Sequence, residues 1–183
     1  MNEVIKAILE RNSCRNFSPA PISEEQVETL VKAALAAPSA VNRQPWHIIA
    51  ITNKQLLEEM DQHILNCIKA DNEDWYNRMI ERGGKIFYDA PCLIVIAKDD
   101  SDYAALDAGI VSQNVALAAH SMGLGNVICG MARSAFDGEK GEEFKKRMNF
   151  PEGYVFGMSV CVGTAISGKE PHEHDMKKVT YVK

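Results

Sequence analysis

The chain has 183 residues, 46% hydrophobic and 25% charged, with a formal net charge of −5. Those values describe one globular domain with a real core, and the acidic balance speaks against nucleic acid as the main partner. No run of about 18 apolar residues occurs, so no membrane-spanning helix is expected. The start, Met1-Asn2-Glu3-Val4, lacks the basic and apolar regions of a signal peptide, and a cytoplasmic protein is expected. Five cysteines lie scattered without a C-x-x-C pair, which reads as free thiols, with Cys92 and Cys161 inside apolar runs of the core.

In chain order, Val4, Ile5, Ile8 and Leu9 mark one face of a short first helix. The turn behind it carries Arg11, Ser13 and Arg15, able to converge on an anion because guanidinium forks match phosphate oxygens. The plainer reading of the same turn is a solvated basic surface. Ser23-Glu24-Glu25-Gln26 is a capping box, and Val27, Leu30, Val31, Ala34 and Leu35 follow at helical spacing. Pro38 ends that helix, and Pro45 fixes the exit into a strand, Trp46–Thr52. Between the prolines stand Ser39, Asn42, Arg43 and Gln44, a dense polar run on a short rigid loop of the kind that carries binding groups. His47, flanked by apolar residues, reads as a core histidine.

Asn53 caps a third helix bearing Leu56, Leu57, Met60, Ile64 and Ile68. Residues 71–84 are polar with Trp75, Tyr76 and Met79 embedded and Gly83-Gly84 at the end. This suits either a lid over a flat ligand, within an insertion at about 70–88, or an amphipathic surface helix. Cys92–Ala97 is a strand apolar on both faces. A helix from about Asp102 to Met122 is apolar nearly all round, as a central or interface element is. A strand is expected over Asn126–Met131, where Gly130 can let backbone approach a ligand. A surface helix over 137–148, a core strand over Val155–Val162 and a polar tail from Gly168 complete the chain.

Arg11-x-Ser13-x-Arg15, Ala37-Pro38-Ser39-Ala40-x-Asn42-x-Gln44-Pro45-Trp46, Gly109 to Gly125 and Tyr154 to Val162 together closely resemble the nitroreductase family of FMN-dependent oxidoreductases. The resemblance runs over essentially the whole chain, 1–183, as a single FMN-binding domain. It implies an α+β fold with a central mixed β-sheet surrounded by helices, in an intertwined homodimer with FMN at the subunit interface. It also implies that Arg11, Ser13 and Arg15 hold the FMN phosphate and ribityl, with one arginine near the pyrimidine edge. Pro38, Ser39, Ala40 and Asn42 are expected to line the flavin of the partner, with Gln44 supporting their loop. Cys129, Gly130 and Met131 match the segment that passes the flavin N5 edge.

The tail departs from the family's pattern. Where relatives often place basic residues near the phosphate, this chain has His172 and His174, with Lys169 a little earlier, and His174 is the expected contact. A metal at His-x-His is not expected, since two ligands on a tail make a poor site. The implied activity is hydride transfer from NADH or NADPH through FMN to a small aromatic acceptor, nitroaromatic or quinone, with no side-chain general acid assigned. The alternatives are a specialised flavoenzyme on the same scaffold (dehalogenase, ene-type reductase or flavin-fragmenting enzyme) and a non-enzymatic flavin-binding protein.

Overall fold

Local signals in the sequence start most of the helices. In the computed structural model, which describes residues 1–168 and 170–183, α1 spans Glu3–Glu10, and the Asn2 side chain accepts the Val4 N–H at 2.8 Å. At α2, Glu24–Leu35, the capping box is closed in both directions: Ser23 Oγ accepts from Gln26 N–H at 3.1 Å and Gln26 Oε1 from Ser23 N–H at 2.9 Å. Such caps satisfy N–H groups that the first helical turn leaves orphaned. After β1, Trp46–Ile51, Asn53 caps α3, Lys54–Asp71, and Asn72 caps α4, Glu73–Glu81. Then come β2, Cys92–Lys98, α5, Ala104–Ser121, and β3, Gly125–Ile128. A 3₁₀ turn over Gly130–Phe136, α6 at Gly138–Arg147 and β4 at Val155–Gly163 follow.

The strands form one sheet in the order β1-β2-β4-β3, each pair antiparallel. Parallel pairing enters only through an isolated bridge between Ser13 and Asn126, so the mixed character of this α+β sheet rests on a single residue pair among those described. Helices cover both faces. Leu93 and Val95 of β2 point into a core with α3, α6 and the 3₁₀ turn, while Ile94 and Ile96 point into a second core with α2 and α5. All four are fully buried, which explains a strand apolar without alternation and is worth about 1.5–3 kcal/mol per side chain. The alanine-rich α5 is central, packed on the sheet and on α2, yet it leaves Leu106 and Ile110 exposed.

One expectation changes. The strand foreseen over Asn126–Met131 stops at Ile128, because β3 is an edge strand and the chain leaves it to bury Ala132, Ala135 and Phe136. The first helix forms as expected and lies against α5, yet it buries none of its residues: Val4, Ile5, Ile8 and Leu9 all stay exposed.

One acidic side chain organises the segment between α4 and β2. Asp61 of α3 accepts N–H bonds from Ile86 at 3.0 Å and Phe87 at 2.9 Å, both on Oδ1. Burial pushes its acid up to about 6 from the ordinary 3.8, against the pull of those two N–H groups. The folded chain therefore keeps a proton that the unfolded chain loses between 3.8 and about 6, and this group's contribution to stability falls as pH rises through that window. Asp61→Asn retains the Oδ1 acceptor without the charge. Relative to wild type it is expected to gain on the order of 1–3 kcal/mol in urea denaturation between pH 4 and pH 7. Parallel pH profiles for the two proteins would reject this account.

Candidate functional site

The arginine turn is fixed by what lies on either side of each polar residue. Cys14 and Phe17 are buried, and Cys14 N–H donates to Asn126 O at 2.9 Å. Ser18 N–H donates to Thr164 O at 2.8 Å and Ile166 N–H to Asn16 O at 3.0 Å, so residues 13–18 are stitched between the ends of β3 and β4. Gly125 permits that approach: a Cβ there would meet Cys14 Cβ and Sγ at 3.0 Å. The anchoring leaves Arg11 and Ser13 half-buried and Arg15 exposed, with no carboxylate paired to either arginine among the described residues. Beside Ser13, the Asn126 Oδ1 atom is buried without a hydrogen-bond partner among the described residues.

Arg15 opens onto a cleft of ≈ 430 Å³ whose floor includes Met131. The cleft is also lined by Trp75 and Met79 of α4 and, beyond that helix, by Arg82, Lys85 and Tyr88. The last three were not singled out from sequence; Gly83-Gly84 was the only signal near them. Those glycines have φ of 102° and 62°, and Tyr88 and Asp89 also take φ of 56° and 62°, uncommon for residues with a Cβ. Such a backbone persists only where its surroundings hold it. Here Asp61 holds Ile86 and Phe87, and Lys85 pairs with Asp89 at 2.5 Å. Burial pushes the Tyr88 phenol up, while the neighbouring Arg15 guanidinium pulls against it.

The Pro38–Pro45 loop is equally over-determined. Ser39 Oγ accepts Gln44 N–H at 2.9 Å, Gln44 Nε2 donates to Asn42 Oδ1 at 3.1 Å, and Ala40 N–H donates to the buried Asp107 at 3.3 Å. Val41, Asn42 and Gln44 take φ of 48°, 53° and 51°, and Val41 is 97% exposed. A β-branched residue held left-handed with its side chain in solvent is a strained, presented loop. Gln44 supports the loop as expected, through both its backbone and its amide.

The chain does not bring this loop to the arginines. The loop enters the sheet at Trp46, level with Lys98 and Val155, whereas Ser13 sits beside Asn126, level with Val162. Those levels are seven residues apart along β4, ~23 Å at about 3.3 Å per residue, and three strand spacings add ~14 Å across the sheet.

At the third expected segment the residues divide. The Cys129 thiol is buried, and its backbone is already engaged, with N–H donating to Ser159 O at 2.8 Å and O accepting from Ser159 Oγ at 2.7 Å. The Cys129 N–H is thus committed to Ser159, while its carbonyl keeps a second acceptor lone pair, and Met131 reaches the cleft. A Cβ on Gly130 would meet only Met158 Sδ at 3.9 Å, so nothing in the chain itself requires glycine there. His172 and His174 face each other with ring centroids 5.5 Å apart on an exposed tail, and no contact joins His174 to Arg11 or Arg15 among the described residues. Lys169 lies outside the described residues. No group of three His, Cys, Asp or Glu side chains placed to hold a metal occurs among the described residues, and no helix there is long and apolar enough to cross a membrane.

Gly130→Ala separates fold from ligand. Its stability is expected to stay within about 0.5 kcal/mol of wild type, while the FMN that the family resemblance implies, followed by its fluorescence, dissociates at least several-fold faster. Unaltered FMN affinity would mean that no ligand abuts Gly130.

Comparison with known proteins identifies the family. The profile of the nitroreductase family matches residues 8–164. A nitroreductase from Desulfitobacterium hafniense, solved with bound FMN, superposes with a TM-score of 0.95 at 46% identity, covering 100% of both chains. A protein of Methanothermobacter thermautotrophicus, provisionally named NADH dehydrogenase/NAD(P)H nitroreductase, is 32% identical over 134 residues, 70% of this chain. That match spans only 61% of the relative's own length. An Archaeoglobus fulgidus protein with the same provisional name is 28% identical over 96% of this chain and 92% of its own.

Proposed function

Given that the chain belongs to the nitroreductase family, we propose that it is an FMN-dependent NAD(P)H oxidoreductase acting as a homodimer, with each flavin held by residues of both subunits. The observation that carries this reading is the pair of unneutralised guanidiniums, Arg11 and Arg15, on a turn pinned by backbone bonds beside a cleft with a methionine floor. A phosphate and a flat polar ring are what such a donor set accommodates. Arg11, Ser13 and Arg15 would hold the phosphate and ribityl, and Met131 with Gly130 would lie along the ring. Bound FMN supplies a hydride relay, accepting hydride from NAD(P)H and passing it to a second molecule on the same face.

The chain's own residues do the rest. A guanidinium near the ring favours its reduced, negatively charged form. The presented loop Pro38–Asn42 would cover the partner's site, since the sheet keeps it from its own. The acceptor is a quinone or nitroaromatic. One turnover converts quinone, NAD(P)H and a proton into hydroquinone and NAD(P)⁺; a nitro group likewise gives a nitroso group and water. No side chain of the cleft is assigned as proton donor, and solvent provides the proton.

A second copy of the chain also accounts for the uncovered apolar face of α1 and for Leu106 and Ile110 of α5. Sedimentation is expected to give a dimer that carries FMN; a monomer with full flavin occupancy would refute shared sites. Removing a charge-assisted contact costs about 1.5–3 kcal/mol, so Arg15→Ala is expected to lose FMN affinity by roughly 10- to 150-fold. Wild-type occupancy in that variant would take Arg15 out of the site. Anaerobic titration with NADH and NADPH is expected to bleach the flavin, whereas an unbleached flavin would favour a binding protein.

A further inference from the structure

The cleft gathers positive charge. Arg15, Arg82 and Lys85 all line it, together with the aromatic side chains Trp75 and Tyr88, on a chain whose net charge is −5. A positive cleft on an acidic body draws anions selectively, because low-dielectric walls focus its field. The cations are not equivalent. Lys85 is offset by Asp89 at 2.5 Å, and Arg15 belongs to the proposed flavin contact. Arg82 has no carboxylate partner among the described residues; the nearby acids Glu73, Asp74 and Glu81 are exposed along α4. It closes α4 immediately before Gly83-Gly84, where the left-handed backbone fixes how the chain turns back towards Lys85. Arg78 lies over the Trp75 ring at 5.4 Å, which helps hold that aromatic wall in place.

We propose that the electron acceptor of this site is an aromatic anion, a one- or two-ring quinone or nitro compound bearing a carboxylate or sulfonate, and that Arg82 selects its charge. The proposal rests on the FMN reading above. A cleft of ≈ 430 Å³ shared with a flavin edge suits a small ring system rather than a second dinucleotide. The rings of Trp75 and Tyr88 meet the acceptor's faces, and a planar guanidinium meets a carboxylate or sulfonate in two parallel hydrogen bonds. The electron balance is that of the turnover already written: the anionic group is a handle and is not itself changed.

The test uses the FMN-loaded protein with saturating NAD(P)H and a matched pair, 1,4-naphthoquinone and its 2-sulfonate. Intrinsic reactivities differ, so the quantity read is the ratio of kcat/KM for sulfonate over parent quinone, compared among wild type, Arg82→Gln and Arg82→Lys. Arg82→Gln is expected to lower that ratio at least about tenfold, Arg82→Lys to keep most of it, and added salt to lower it more steeply in wild type and Arg82→Lys than in Arg82→Gln. Flavin occupancy is expected to match wild type in both variants. Three equal ratios would overturn the proposal while leaving the flavin reading intact. Loss of FMN in Arg82→Gln would overturn it differently, by assigning the cation to the cofactor. A wild-type protein that binds no FMN would overturn both readings together.

Discussion

An antiparallel sheet sends its connections to two ends, and the register of this sheet decides what a single chain can assemble. Trp46 stands level with Val155, and Asn126 level with Val162, so the loop before β1 and the arginine turn beside β3 belong to opposite ends and opposite edges. No rotamer or loop movement spans that gap, because β2 is buried on both faces, as is β4 from Ser159 onwards, and interior strands do not slide without turning core side chains to the wrong side. A site needing both segments would therefore take two chains, as proposed above. The exposed apolar residues of α1 and the solvent-exposed Val41 fit that reading.

Rigidity at the cleft comes from a different source. Its residues leave α4 through two left-handed glycines and reach β2 through two more left-handed positions, Tyr88 and Asp89. Four such positions within seven residues would not hold a shape unaided. Asp61 supplies the fixed point, reaching across from α3 to take the N–H groups of Ile86 and Phe87. Its cost is an acid group pushed up to about 6 by burial. A carboxylate kept where ionisation is disfavoured, in order to hold strained backbone beside a cleft, is a trade of stability for pre-organisation.

What was legible in the sequence follows from how local each signal is. The caps Ser23 and Asn53 act within three residues of themselves, and their helices form where the pattern places them. Cys92–Ala97 reads as a doubly buried strand because its own composition says so. The motif residues Arg11, Ser13, Arg15, Ser39 and Gln44 were visible because they cluster in sequence. Arg82, Lys85 and Tyr88 were not, since their convergence depends on Asp61, some 25 residues away, and on backbone angles that composition does not announce. Cys129 shows what a motif does not reveal: its backbone is also tied to Ser159 one strand over.

The two over-determined segments differ in the kind of contact that fixes them, and that difference bears on specificity. The Pro38–Pro45 loop is held by short-range bonds, Ser39 to Gln44 and Gln44 to Asn42, with Asp107 and Asp99 as distant anchors. It can be preserved by retaining those few residues, whatever the rest of the surface becomes. The Gly83–Asp89 segment depends on α3, α4 and the Lys85–Asp89 pair together, so its side chains can be exchanged while its backbone course is kept. A shared cofactor calls for the first kind of construction, and a particular acceptor for the second. The positive, aromatic lining joins α4, through Trp75 and the C-cap residue Arg82, to that segment, through Lys85 and Tyr88, so the chemistry of the cleft is set where α4 gives way to the left-handed backbone.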